Sequence, residues 1–405
     1  MVLAVTFTNF GPYHLARLRA LGERLGRTGD GLLALETAGS ERRYPWRPER
    51  GEEPFEWVTL FPDRALESLS RSACARAMEE ALERSRPDVV AIVGYVRPEA
   101  MAALRWARRN LRPTILMSES QAIDRPRVWW KETIKRRRVR QFSAALVGGP
   151  RHRDYLVDLG MPWDRIASGY NAVDNAWYAH QAELARTETS SRHGLPQGPY
   201  FLVVSRFVPE KNLPRLIRSF AHYHKSAPEG KRWELVLCGD GPSAAVVEAA
   251  IRASGVAQAI HRPGFLQAND IVRYYAFAGA LVHPSLSEPW GLVVNEAAAC
   301  GLPLLVSDRA GCAETLVPDP PGTTGRRFDP NDEAEMAEVL NWLAHMPEHE
   351  RAAMGQRAEA AVADWGPERF AQGTLEALTL ACSSEPGRPP QRLIAATSSS
   401  KDARP

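Results

Sequence analysis

From Ser285 to Leu316 the chain reads Ser-Leu-Ser-Glu-Pro-Trp-Gly-Leu-Val-Val-Asn-Glu-Ala-Ala-Ala-Cys-Gly-Leu-Pro-Leu-Leu-Val-Ser-Asp-Arg-Ala-Gly-Cys-Ala-Glu-Thr-Leu. No other stretch restricts the fold as tightly. Ser285 to Trp290 holds Pro289 among polar residues and reads as loop. Gly291 allows a close backbone approach. Leu292 to Cys300 is apolar and alanine-rich, as in a buried helix. Gly301 ends that helix as a C′ residue, and Pro303 prevents its resumption. Leu304 to Ser307 is a short apolar strand. Glu288 lies before the helix and Glu296 inside it. In such an apolar run each carboxylate needs a partner, because an unpaired buried charge is costly. Hydroxyl groups serve well, and the free N–H groups near Gly291 and Leu292 suit a phosphate. Hydroxyl acceptors on either side of a phosphate cradle describe a site for a sugar joined to a nucleoside diphosphate.

The same stretch resembles family 4 of the retaining glycosyltransferases, within the glycosyl transferases group 1. The resemblance rests on E-P-x-G-L-x-x-x-E, with seven residues between Glu288 and Glu296, on the following A-x-x-C-G-x-P, and on Gly311 to Glu314. A bare pair of glutamates at this spacing arises often by chance, and could belong to a buried helix with one capped and one solvated carboxylate. The full string is far more specific. The family implies a GT-B fold: α/β, two Rossmann-like doubly wound domains facing across a cleft.

Size and composition agree with two domains. At 405 residues the chain is longer than one hydrophobic core supports. The five cysteines, Cys74, Cys238, Cys300, Cys312 and Cys382, are odd in number and form no C-x-x-C pair. They fit small core residues of a reduced, cytoplasmic protein better than a disulfide framework. No apolar run reaches membrane-spanning length, and the apolar N-terminus lacks the basic region of a signal peptide. The net charge of +3 combines a basic N-terminal half with a mildly acidic remainder. A basic face suits an anionic partner.

Strand and helix patterns alternate along the chain. Residues 2–7 read as a strand, 9–14 as a turn, and 15–25 as an amphipathic helix. Strands follow at 31–36, 87–94, 113–118, 142–149 and 166–170, with helices at 68–85, 99–110 and 151–159. Residues 38–56 read as an extended loop. This alternation predicts a parallel doubly wound sheet over residues 1–180. The dinucleotide signature G-x-G-x-x-G is missing, which speaks against a dehydrogenase. Residues 181–199, rich in Ser, Thr, Gly, Pro and charge, read as a linker. A second series over 200–364 has strands at 200–205, 234–238, 259–262, 280–283 and 303–307. By resemblance, the helix at 365–382 crosses back to the N-terminal domain. Residues 383–405 are expected to be disordered.

Further candidates lie at strand ends, where α/β sheets bind ligands. Arg206 and Lys211 follow the first strand of the second series and resemble the family's R-x-x-x-x-K. The implied task is to stabilise charge on a departing diphosphate; on their own they could equally be solvated cations beside a turn. Gly239 and Gly241, in Cys-Gly-Asp-Gly-Pro, allow close approach to a ligand; the family places this turn near the nucleotide. By the same resemblance, backbone groups of Phe265 face the base, and Gly291, Leu292 and Glu296 complete donor binding. Glu314 either contacts the sugar or caps a helix. In the first domain, Gly11 and His14 stand where the family has a glycine-rich loop closing over the donor phosphate, although here the double glycine is absent. His14 is a candidate for catalysis or phosphate contact, or is simply a residue of the helix N-terminus. Family members often have a histidine after a mid-domain strand; this chain has Ser118-Glu-Ser-Gln121, which makes Glu119 the candidate on the acceptor side. No D-x-D occurs, so the donor is expected to be held without a metal, and a nucleotide sugar is a substrate rather than a cofactor.

Residues 125–140 mix Trp129 and Trp130 with a dense cationic run. Such a segment can be a solvated helix packing its tryptophans inward, a peripheral contact with an anionic membrane on its inner face, or a grip on an anionic acceptor. Nucleic acid is not expected, since no reader motif accompanies it. The whole chain reads as a metal-independent retaining hexosyltransferase with a glycan or lipid-linked acceptor, in cell-envelope or exopolysaccharide synthesis. A sugar-nucleotide epimerase on the same fold and a non-catalytic sugar-nucleotide binding module are the alternatives.

Overall fold

The computed structural model describes residues 1–42 and 51–383. These divide into two units, each built on its own parallel sheet. The first runs β1 (Val2–Phe7), α1 (Pro12–Gly26), β2 (Gly31–Ser40), β3 (Glu56–Ala65), α2 (Arg71–Ser85), β4 (Val89–Val93), α3 (Pro98–Arg109), β5 (Thr114–Ser118), α4 (Trp129–Val139), β6 (Ala144–Val147), α5 (Pro150–Asp158) and β7 (Ile166–Ser168). The second begins with α6 (Asn175–Thr187), β8 (Tyr200–Val204), α7 (Leu213–Ser226), β9 (Glu234–Cys238), α8 (Ala244–Ala253), β10 (Ile260–Gly264) and α9 (Ala268–Phe277). It continues with β11 (Ala280–His283), α10 (Leu292–Ala299), β12 (Leu304–Ser307), α11 (Ala313–Leu316), β13 (Gly325–Phe328), α12 (Glu333–His345) and α13 (Glu348–Val362). The chain then re-enters the first unit as α14 (Pro367–Cys382), which packs on α1, β6 and β7.

The strand orders explain where sites can form. The first sheet is β3-β2-β1-β4-β5-β6-β7 and the second β10-β9-β8-β11-β12-β13. In each, the chain first lays strands to one side of the starting strand and then returns to its other side. The reversal falls between β1 and β4 in one sheet and between β8 and β11 in the other. Open α/β sheets bind ligands at such switch points, beyond the carboxyl ends of the strands. The central strands are buried on both faces, as covered parallel strands must be.

Several boundaries differ from the sequence reading. β2 runs into the stretch read as a loop, as far as Ser40, and β3 begins at that stretch's last residue, Glu56; Pro62 within β3 is tolerated because β3 is an edge strand. β13, the opposite edge of the second sheet, is a further unexpected strand. Residues 181–187 are helical, completing α6, and the chain passes from one unit to the next at Tyr170–Asn171, upstream of the expected linker. The short piece Ser120–Pro126 also belongs to the second unit. The expected disordered tail, from residue 384 onward, lies outside the described residues. No helix among the described residues is long and apolar enough to cross a membrane.

Candidate functional site

The helix α10 is built as its sequence requires. Gly291 is its N-cap at φ 104°, a conformation that would strain any side chain. At the other end Gly301 N–H reaches Ala298 O at 2.9 Å and Leu302 N–H reaches Ala297 O at 3.0 Å, a Schellman closure. Arg186 adds a guanidinium contact to Cys300 O at 2.6 Å, where the negative end of the helix dipole favours it. The preceding loop is anchored by Trp290, buried, stacked on Trp365 and donating to Asn295 Oδ1 at 2.8 Å. Its backbone is tied to the following loop through Gly311 N–H to Glu288 O and Cys312 N–H to Trp290 O.

This scaffold presents Glu288 at the switch point between β8 and β11. The loop after β8 carries Lys211, and Leu286 N–H bonds to Glu210 O at 2.8 Å, bringing the two loops together. Asn212, at φ 59°, fixes the turn by donating to Pro284 O at 3.2 Å and Pro330 O at 2.7 Å. Lys211 Nζ forms an ion pair with Glu288 Oε2. His283 Nε2 lies 3.1 Å from the same oxygen and Ser285 Oγ 3.4 Å from it. Three protein groups therefore converge on Oε2, while no donor among the described residues occupies Oε1. Burial would push the Glu288 carboxyl up, but the Lys211 ammonium and the His283 ring hold it well below the usual carboxylate range. Burial pushes the His283 ring down, against the pull of Glu288. A neutral His283 with its proton on Nε2 donates to Glu288. His283, Ser285 and Asn212 escaped the sequence reading, since a histidine ending an apolar strand looks like any other core residue.

Glu296 sits inside α10, buried, with Tyr275 Oη donating to its Oε2 at 2.7 Å. It is neither solvated nor far from the helix N-terminus, where the N–H groups of Leu292 and Val293 have no acceptor within the helix. Arg206 is half-buried at the carboxyl end of β8, on the same connecting loop as Lys211. Gly239 and Gly241 turn the chain after β9, and a Cβ at either would overlap the backbone of Ser205 or Phe207. The chain's own packing thus accounts for both glycines. Phe265, just after β10, is 43% exposed. Gln121, from the short piece joined to this unit, donates to Glu288 O at 2.8 Å.

In the first unit, Gly11 and His14 follow β1 at that sheet's switch point. Gly11 N–H donates to His14 Nδ1 at 3.0 Å, and the ring lies against Phe7. Burial, and secondarily the Arg17 guanidinium, push His14 down to about 3. The ring is therefore neutral at physiological pH with its proton on Nε2; it can donate a hydrogen bond but brings no positive charge to a phosphate. Glu119 directly follows β5 and acts electrostatically on the buried Arg17 and on Tyr170.

Residues 185–361 match the family model described as Glycosyl transferases group 1. Among curated proteins, the chain is 29% identical over 237 residues to the alpha-D-kanosaminyltransferase of Streptomyces kanamyceticus, covering 58% of each chain. It is 31% identical over 174 residues to a sulfoquinovosyl transferase of Arabidopsis thaliana, covering 43% of this chain and 32% of the relative. The chain spans about half the length of the curated relatives it matches first, 58% and 41%. Among solved structures, a sucrose-phosphate synthase from Thermosynechococcus elongatus superposes with TM-score 0.73 at 16% identity, covering 95% of this chain and all of the other. The Anabaena protein HepE, solved with UDP and glucose, gives 0.68 at 18% identity, covering 94% and 99%. Residues 185–361 thus form a Glycosyl transferases group 1 domain, in a chain whose two Rossmann-like parallel-sheet domains have the GT-B fold.

Proposed function

We propose that this protein is a retaining glycosyltransferase of family 4, moving a hexosyl unit from a nucleoside-diphosphate sugar to a glycan or lipid-linked acceptor. One observation carries the reading: the Glu288 carboxylate lies at a sheet switch point with three protein groups on one oxygen and, among the described residues, no donor on the other. Such an oxygen suits a sugar hydroxyl. Glu296, steadied by Tyr275, takes the ribose hydroxyls. The N–H groups opening α10, with Arg206 and Lys211, face the diphosphate and stabilise the charge that grows on it as the glycosidic bond breaks. Lys211 is already held in place by Glu288, so little reorganisation is needed. The transition state resembles an oxocarbenium ion; the acceptor attacks from the leaving-group face, and a phosphate oxygen takes its proton. Gly11 and the neutral His14 belong to the same function as phosphate or acceptor contacts, and Glu119 to the acceptor side.

The test is a thermal-shift screen against UDP, GDP and ADP sugars, followed by turnover assays with and without acceptor alcohols. A true donor raises the melting temperature by mass action. Turnover that requires an acceptor supports transfer. Conversion of the donor alone points to an epimerase, and binding without turnover to a binding module.

A further inference from the structure

We propose that the outward face of α4 docks on an anionic lipid bilayer. The inference rests on this helix and not on the donor site. Residues 125–140 hold eight Lys and Arg against one Glu. The inward side of α4 is settled by polar contacts and one apolar residue. Val139 is buried, Glu132 receives Lys135 Nζ and Tyr155 Oη at 2.8 Å each, and Arg138 donates to Tyr95 O at 3.2 Å. At 3.6 residues per turn the opposite side carries Trp130, Ile134 and Arg137 in one row. Trp130 is 48% and Ile134 40% exposed, while Trp129, at the start of the helix, is 80% exposed. The tryptophans therefore do not pack inward. Lys131, Arg136 and Arg137 are exposed around them, with Lys131 Nζ 5.3 Å from the Trp130 ring.

Each part of this face has a place at a bilayer surface. Indole rings favour the headgroup boundary, where their apolar body and N–H are both accommodated. Lysine and arginine beside them meet the negative surface of phosphate headgroups. Eleven residues make a helix about 16 Å long, suited to lying on a surface rather than spanning it. Charge alone would also attract nucleic acid, but the Trp130–Ile134 row offers apolar area that a phosphate backbone does not use.

The full chain, without any sugar, should be sedimented with phosphatidylcholine vesicles and with vesicles containing about 30 mol % phosphatidylglycerol. Binding should require the anionic lipid and fall as salt rises from about 0.1 to about 1 M, over which the screening length drops from about 10 to about 3 Å. Trp129→Ser with Trp130→Ser should lower binding about tenfold or more. Lys131→Gln with Arg136→Gln and Arg137→Gln should lower it about 100-fold, taking about fivefold per cation. These exposed charges can be replaced without touching the core, so the second variant remains informative if the first misfolds. Binding to neither vesicle, equal binding to both, variants that bind as well as the parent, or a preference for an oligonucleotide competitor would each overturn the proposal.

Discussion

Replacing Lys211 by Met removes the ammonium that faces Glu288 while retaining most of the side-chain stem. The pair is well enclosed, with the two side chains 19% and 14% exposed. Breaking a fully buried pair costs about 3–5 kcal/mol, and a hydrogen bond to a charged group contributes about 1.5–3 kcal/mol. Here His283 and Ser285 stay on Glu288 Oε2, so a loss of about 2 kcal/mol is expected. For a unit of this size that corresponds to a melting shift of roughly 4–8 °C. The pH dependence gives a stricter check. The Glu288 carboxyl is depressed in the folded protein, so its contribution is fully present above the unfolded value of 4.5 and is lost as pH falls through the folded one. Urea unfolding of parent and variant should show the full gap near pH 7 and a shrinking gap below about 4.5. Equal stability at pH 7, or a gap that widens in acid, would refute the argument.

Other consequences are equally direct. Tyr275→Phe removes a donor from the buried Glu296 carboxylate; calorimetry with the nucleotide chosen by the thermal-shift screen should show affinity reduced about 5- to 30-fold. Gly239→Ala places a Cβ on the Ser205 carbonyl at a φ of 138° and should destabilise the second unit by about 3 kcal/mol or more, seen as a lowered melting temperature. His14, held at about 3 in the folded state against 6.5 unfolded, binds fewer protons when folded, so stability falls as pH drops between those values. His14→Gln should remove up to about 1.4 kcal/mol per pH unit from the acid slope, measured by denaturant unfolding between about pH 6 and 4.

The sequence made the alternation of strands and helices readable because buried parallel strands are nearly continuous apolar runs. The helix after Gly291 was legible to within one residue of its end, since Gly301 and Pro303 stop it; of the residues beyond it, only the C-cap Cys300 was counted as helix. β3 gives no clear strand signal in the sequence: its Pro62 is compatible only with an edge strand, and edges are a property of the assembled sheet. In the candidate site, Glu288, Glu296, Arg206 and Lys211 stood out by spacing. The pairing of Lys211 with Glu288 did not, because 77 residues separate them and only the adjacency of β8 and β11 brings them together. His283 and Tyr275 carry no local signal, since each becomes a partner of a glutamate through strand and helix packing. Gly239 and Gly241 were read as open space for a ligand, whereas loop packing inside the chain already requires them. The tryptophans of α4 could not be assigned a direction from sequence, because its dense charge hides which side is inward.

The open oxygen of Glu288 is the group expected to meet the donor's sugar. Calorimetric titration of the parent and Glu288→Gln with a nucleoside diphosphate, and then with its sugar conjugate, measures that contact directly. The parent should bind the conjugate more tightly than the bare nucleotide, and the variant should lose that difference while keeping its affinity for the nucleotide. An undiminished sugar-dependent gain in Glu288→Gln would contradict the assignment.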